Sequence, residues 1–218
     1  MNDCKIVRIV VEGPTEEKFI KQIVGPYLLA KGFQTIPIVL HGDVKFDRVK
    51  GDVVKSLKDR KTKAVSYFVD YYGLKEWPEK EAIQANSTPR QIADILNSAA
   101  KNSICKEAGD DLNPCRRFVP FMAVHEFETL LFSDSEILAE ELGIQQIHID
   151  DVLKKFGGKP EWINNSPETA PSKRLEAWKS DYKKTTDGIA IAERIGLPAM
   201  RAKCPLFDNW LSAIESLQ

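Results

Sequence analysis

Three apolar runs in this chain stop abruptly at acids, and acids in those places could do chemistry. Glu12 follows Lys5–Val11, Asp70 follows residues 64–69, and the pair Glu126 and Glu128 follows residues 118–124. Each run is rich in β-branched and aromatic residues and reads as a buried strand ending at a carboxylate. Carboxylates gathered in one place repel one another unless a cation balances them. An all-oxygen donor set suits Mg²⁺, Mn²⁺ or Ca²⁺ rather than zinc. Such an ion activates water and neutralises charge that develops on a phosphoryl group. Any one of these acids taken alone is more simply a solvated loop residue; the coincidence of three strand ends is what points to a shared site.

Those acids need a scaffold that brings their strand ends together. After the first strand, Thr15 is placed to cap a helix in which Phe19, Ile20, Ile23, Val24, Tyr27 and Leu28 recur at helical spacing, and Gly32 ends it. A strand over 35–40 is broken only by Pro37, which predicts an edge position or a bulge. Phe46, Val49, Val53, Val54 and Leu57 form the stripe of a second helix, and Thr88-Pro89 opens a third with Thr as cap. Strands alternating with helices imply right-handed crossovers and a mainly parallel sheet covered by helices. In such sheets, sites form beyond the carboxyl ends of the strands, where Glu12, Asp70 and Glu126 fall. From Ser133 onward only helical segments occur, over 135–142, 149–156, 171–179, 186–195 and 205–216. The expected organisation is an α/β domain over 1–134 and a helical C-terminal extension over 135–218 packed on the same domain.

Composition narrows the function. With 31 Lys and Arg against 32 Asp and Glu, the chain lacks the overall basicity of a non-specific nucleic-acid binder, so any such contact must come from a local patch or a partner. No apolar run approaches a membrane span, and residues 1–14 do not form a secretion signal, which predicts a cytoplasmic protein. Cys4, Cys105, Cys115 and Cys204 show no C-x-x-C spacing; buried free thiols are expected rather than zinc ligands or disulfides. Trp77 and Trp162, in polar loop-like segments, are candidates for stacking on bases, whereas Trp178 and Trp210 are expected in the core. No G-x-x-x-x-G-K-[ST] occurs, so ATP, if used, must be bound by a partner.

A strand followed by Glu12-Gly13 and a helix, with a later strand ending Phe68-Val69-Asp70, resembles the TOPRIM fold of topoisomerases, primases and OLD-type nucleases. More closely, Val11-Glu12-Gly13-Pro14-Thr15-Glu16, the block from Val124 through His125-Glu126-Phe127-Glu128 to Ser133, Thr169-Ala170-Pro171-Ser172-Lys173-Arg174 and Cys204-Pro205-Leu206-Phe207-Asp208-Asn209-Trp210 resemble a family of stand-alone prokaryotic TOPRIM-like proteins, long of unknown function. Its members often sit beside an ABC-type ATPase gene, as in two-gene phage-defence systems. The resemblance implies a Rossmann-related α/β fold and a Mg²⁺- or Mn²⁺-dependent nuclease acting on DNA or RNA, with an ABC-type ATPase partner; a homodimer is a further option.

Carried over, Glu12 is the catalytic or metal-binding acid, Glu16 a further ligand, Asp70 the first acid of the Asp-x-Asp pair, and Glu126 with Glu128 a second metal position. Tyr72 stands where the pattern has its second Asp, and a phenol is a poor Mg²⁺ ligand. Either Glu16 or Glu128 replaces that contact, or activity is reduced. Lys173 and Lys184 match lysines of the motifs T-A-P-S-K-R and Y-x-K-x-x-x-G, the latter as Tyr182-Lys184-Gly188, and are expected to steady phosphate charge. His125 either orients a carboxylate, acts as a general base, or is a structural histidine. The alternative to a nuclease is a catalytically weak metal-binding subunit that regulates through an ATPase.

Overall fold

The computed structural model describes residues 4–124, 126–163 and 169–217. β1 (Lys5–Val11) alternates Val7, Ile9 and Val11 onto one face of the sheet and places Val10 on the other. Pro14 opens α1 (Pro14–Phe19), which continues through a π turn (Ile20–Val24) into α2 (Gly25–Leu29). Thr15 is therefore not the cap. Proline's fixed φ suits the first helical position, so the cap falls one residue earlier, at Gly13, and Thr15 is buried.

β2 (Phe33–Val39), α3 (Phe46–Lys58), β3 (Thr62–Asp70), α4 (Pro89–Ala108), the short α5 (Pro114–Arg117) and β4 (Phe118–Ala123) follow. The sheet is parallel throughout, in the order β2-β1-β3-β4. Pro37 lies on the edge strand β2, where its missing N–H breaks no ladder on the outer side. Thr88 caps α4, accepting from the Gln91 N–H at 3.3 Å while the Gln91 side chain accepts from the Thr88 N–H at 2.9 Å.

The remaining helices are α6 (Ser135–Leu142), α7 (Ile147–Lys155), α8 (Pro171–Trp178), α9 (Ile189–Lys203), entered through a π turn (Lys184–Gly188), and α10 (Pro205–Glu215). The helix expected over 186–195 pauses at Gly196, which has φ 73°, and resumes through Pro198. One face of the sheet packs against α1, α2, α6, α9 and α10 in a single apolar core. There Trp210 stacks on Phe121 at 5.0 Å and donates from Nε1 to Ser66 Oγ at 2.9 Å. The opposite face packs against α3 and α4 through Val49, Val53, Leu57, Leu96 and Ile104. Truncating a buried aromatic such as Trp210 to alanine costs about 3–5 kcal/mol.

Two expectations need correction. Trp77 is no stacking platform: it is buried, with its ring 5.0 Å from Phe46 and 5.4 Å from Tyr67, while Trp162 is the exposed one. Cys105 and Cys115 form a disulfide, with Cα atoms 5.7 Å apart, because α5 turns back beside the end of α4; of the others, Cys204 is buried and Cys4 exposed. Among the described residues no helix is long and apolar enough to cross a membrane.

Candidate functional site

The chain leaves β1 toward β2 on one side and leaves β3 toward β4 on the other, so the crevice between the carboxyl ends of β1 and β3 is the topological switch point of the sheet. Glu12, the residue after β1, and Asp70, the last residue of β3, flank it. The Glu12 carboxylate lies against Gly73: a Cβ there would stand 2.8 Å from Glu12 Oε2, so glycine is what lets the turn after Asp70 close over the acid. Gly42 N–H donates to the Glu12 carbonyl at 3.1 Å from a loop with three successive left-handed residues, His41, Gly42 and Asp43, at φ 56°, 80° and 53°. Backbone held in that region by tertiary contacts is a recurring mark of functional sites.

Lys184 stands among the acids. Its Nζ lies 3.2 Å from Glu128 Oε2, 3.5 Å from Glu16 Oε1 and 3.6 Å from Asp70 Oδ2, and 5.8 Å from the centre of the Phe127 ring. The π turn that carries it is tied to α1 by Lys18, which donates to the Thr185 carbonyl at 3.0 Å. Burial alone would lower the Lys184 pKa, but Asp70, Glu128 and Glu16 outweigh it and hold the ammonium well above its usual range. Lys184 is thus a fixed positive charge and not a base.

Glu12, Asp70 and Glu128 are all pushed upward, primarily by burial and opposed in each case by Lys184. Glu16 adds to the shift of Glu12 and of Asp70, and Glu126 to that of Glu128. Glu12 Oε2, Asp70 Oδ1 and Glu128 Oε1 are buried without a hydrogen-bond partner among the described residues. Such oxygens are costly unless a donor or cation completes them. Glu16 differs: its Oε2 accepts the Gly13 N–H at 3.0 Å, so it closes the first turn of α1 as well as facing Lys184.

The acid pair is split. Glu128 is 1% exposed and turns in toward Lys184, whereas Glu126 accepts from Ser172, from its N–H at 3.0 Å and its Oγ at 3.1 Å. Glu126 is extended backbone just before the 3₁₀ turn Phe127–Ser133, and Glu128 lies within that turn, so the two side chains leave from different backbone geometries. Lys173 is not brought to the acids: it is exposed and pairs with Glu176 at 2.6 Å. Tyr72 is 41% exposed with its ring 5.0 Å from Tyr71. His125 lies outside the described residues.

Tyr182 joins the site as well. Its hydroxyl is buried without a hydrogen-bond partner among the described residues, and it sits where a Cβ at Gly188 would stand 2.7 Å away. Burial, followed by Glu128, keeps the phenol protonated, so it is a donor. Its spacing to Lys184 and Gly188 was the available signal. A divalent cation fits the donor chemistry here, since the acids are all oxygen ligands with unpaired buried atoms. The ammonium at their centre already supplies part of the balance. Among the described residues no three His, Cys, Asp or Glu side chains stand as a ready metal-ligand set.

No curated protein and no solved structure matches the chain at a significant level. Over residues 11–215 the chain matches the family model described as a domain of unknown function, DUF4276, and it belongs to that family.

Proposed function

We propose that this protein is a divalent-metal-dependent nucleic-acid phosphodiesterase whose active site is the crevice between β1 and β3. The observation that carries the reading is the convergence of Glu12, Glu16, Asp70 and Glu128 at the switch point, with buried oxygens on Glu12, Asp70 and Glu128 that lack a partner among the described residues. The resemblance of the Glu12-Gly13 and Asp70 segments to TOPRIM nucleases supports it. Glu12 and Asp70 would hold Mg²⁺ or Mn²⁺, with Glu16 or Glu128 standing in for the acid that Tyr72 replaces. A cation bound there supplies Lewis acidity toward a phosphodiester and a water of lowered pKa. Lys184, held among these carboxylates, would supply positive charge toward a phosphate oxygen, and the buried Tyr182 hydroxyl would donate a hydrogen bond to it. The protein acts in the cytoplasm beside an ABC-type ATPase in phage defence; there the Cys105–Cys115 bridge is open to reduction.

The purified protein with Mn²⁺ is expected to nick plasmid DNA or degrade RNA, and Glu12→Ala to abolish this. Equal activity in the variant would overturn the reading. One observation favours a second reading, a catalytically weak regulatory subunit: Lys184 supplies within the chain some of the charge that a metal would bring. Tight association with the neighbouring ATPase, combined with no cleavage in any divalent metal, would select it.

A further inference from the structure

At the end of the sheet opposite the acids, a cavity of about 950 Å³ opens where β1 and β3 begin. Its walls carry Lys58, Arg60, Lys61, Lys63, Arg116 and Arg117, and Asp111 is the one acid among its described lining residues. Lys5 adds a further cation at the rim, where its Nζ donates to the Leu217 carbonyl at 3.2 Å. Lys58, Arg60, Lys61 and Arg116 are exposed and pair with no carboxylate among the described residues. Arg117 is the framework. It donates to the carbonyls of Thr62 at 2.7 Å, Leu112 at 2.9 Å and Lys63 at 3.3 Å, and is half-buried without an ion pair among the described residues. Burial lowers its pKa, and the nearby Asp59 opposes the shift. It therefore fixes the loop on either side of the cavity while leaving its charge largely uncompensated.

We infer that this basic cleft holds the phosphate backbone of a nucleic-acid strand. Net charge makes the concentration of cations significant: the whole chain sums to −1, whereas the described lining of this cavity sets seven cations against one acid. Nucleic acid is favoured over a free nucleotide because no aromatic ring lines the cavity among the described residues, which leaves a base no stacking platform there. Flexible exposed lysines and arginines along a cleft make sequence-independent backbone contacts. The inference rests on the nuclease reading for its substrate class and adds where the uncut part of that substrate lies. β3, with its nine residues, separates the two ends by roughly 26 Å at about 3.3 Å per step, so a stacked strand at about 3.4 Å per nucleotide needs about eight nucleotides to reach both.

The test is fluorescence anisotropy with a labelled 30-nucleotide single strand, DNA and RNA in turn, in EDTA so that no cleavage occurs. Binding is thereby measured separately from catalysis, and a failure of the nuclease reading leaves it intact. Wild type is expected to bind, and the double variant R60Q/K61Q to bind at least about tenfold more weakly at low salt. For that variant the slope of log affinity against log salt becomes shallower by about 1.4, at about 0.7 per lost single-strand phosphate contact. R90Q/K159Q, which removes two cations from a different cavity, beside Trp162, is expected to bind within about twofold of wild type. Circular dichroism checks that both variants fold. Absence of binding by wild type, unchanged binding by R60Q/K61Q, or an equal loss in R90Q/K159Q would each overturn the inference. Complete displacement of the oligonucleotide by micromolar ATP would overturn it in favour of a small-nucleotide site.

Discussion

The two ends of this sheet treat charge in opposite ways. At the carboxyl end, Glu16, Asp70 and Glu128 are buried around Lys184, with Glu12 beside them and several oxygens lacking a donor. At the amino end the cations are mostly exposed, and Asp111 is the one acid among the described residues lining their cavity. Burying like charges is expensive and persists only where a fixed counter-charge or ligand repays it, whereas solvated cations cost the fold little. On the proposed reading, the acidic end would hold a specific cation in a fixed geometry. The basic end is suited to a polyanion held loosely in many registers.

Changing the acids breaks this contrast most strongly. Asp70→Asn or Glu12→Ala should lower the rate of Mn²⁺-dependent cleavage by about 10³-fold, which corresponds to about 4 kcal/mol of transition-state stabilisation. Single-turnover assays on a labelled oligonucleotide measure this directly. Next in size is Lys184→Met. Removing the ammonium leaves three facing carboxylates uncompensated, and a loss of about 2 kcal/mol is expected, after discounting for the partial exposure of Lys184. Thermal unfolding should show a lower Tm in EDTA and a partial recovery in Mn²⁺, since the metal takes the place of the lost charge. A Tm unaffected by the substitution would show that Lys184 does not compensate the cluster.

Gly73→Ala should act through geometry. Its new Cβ would meet Glu12 Oε2 at 2.8 Å and push the carboxylate aside, lowering cleavage by about 10- to 100-fold with little change in Tm. Wild-type kinetics in that variant would mean that Glu12 can function from elsewhere.

The smallest effect concerns Glu161, remote from the acidic site. It accepts from the N–H groups of Leu206 and Phe207, yet burial pushes its pKa up to about 7. Between the unfolded value near 4.5 and that folded value, the native state binds more protons than the unfolded one, so stability falls as pH rises through this window. Tm should decline from pH 5 to pH 8, and Glu161→Gln should flatten that decline.

Much of the scaffold was legible because it rests on local chemistry. Thr88 and Pro89 announce the start of α4, Pro37 marks an edge strand, and the stripe from Phe46 to Leu57 predicts a buried helix face. The strand ends at Val11 and Asp70 were legible for the same reason: a β-branched run stops at an acid. What could not be read depends on how distant segments meet. Glu126 is extended while Glu128 sits in the 3₁₀ turn that follows, and Ser172, 46 residues away, takes Glu126. Lys173 matched a motif, but its helix faces Glu176 and solvent. The disulfide depends on α5 folding back on α4, which the ten-residue separation of its cysteines does not reveal. Lys184 was identified through motif spacing, but its place at the centre of the acids follows from how the π turn docks against α1.

The most direct test of the account is to soak crystals of the protein in millimolar Mn²⁺ and collect anomalous diffraction. The account predicts an anomalous peak within bonding distance of Glu12 and Asp70, with Lys184 displaced from its present position among the carboxylates. A site without manganese, with Lys184 still paired to Asp70 and Glu128, would contradict it.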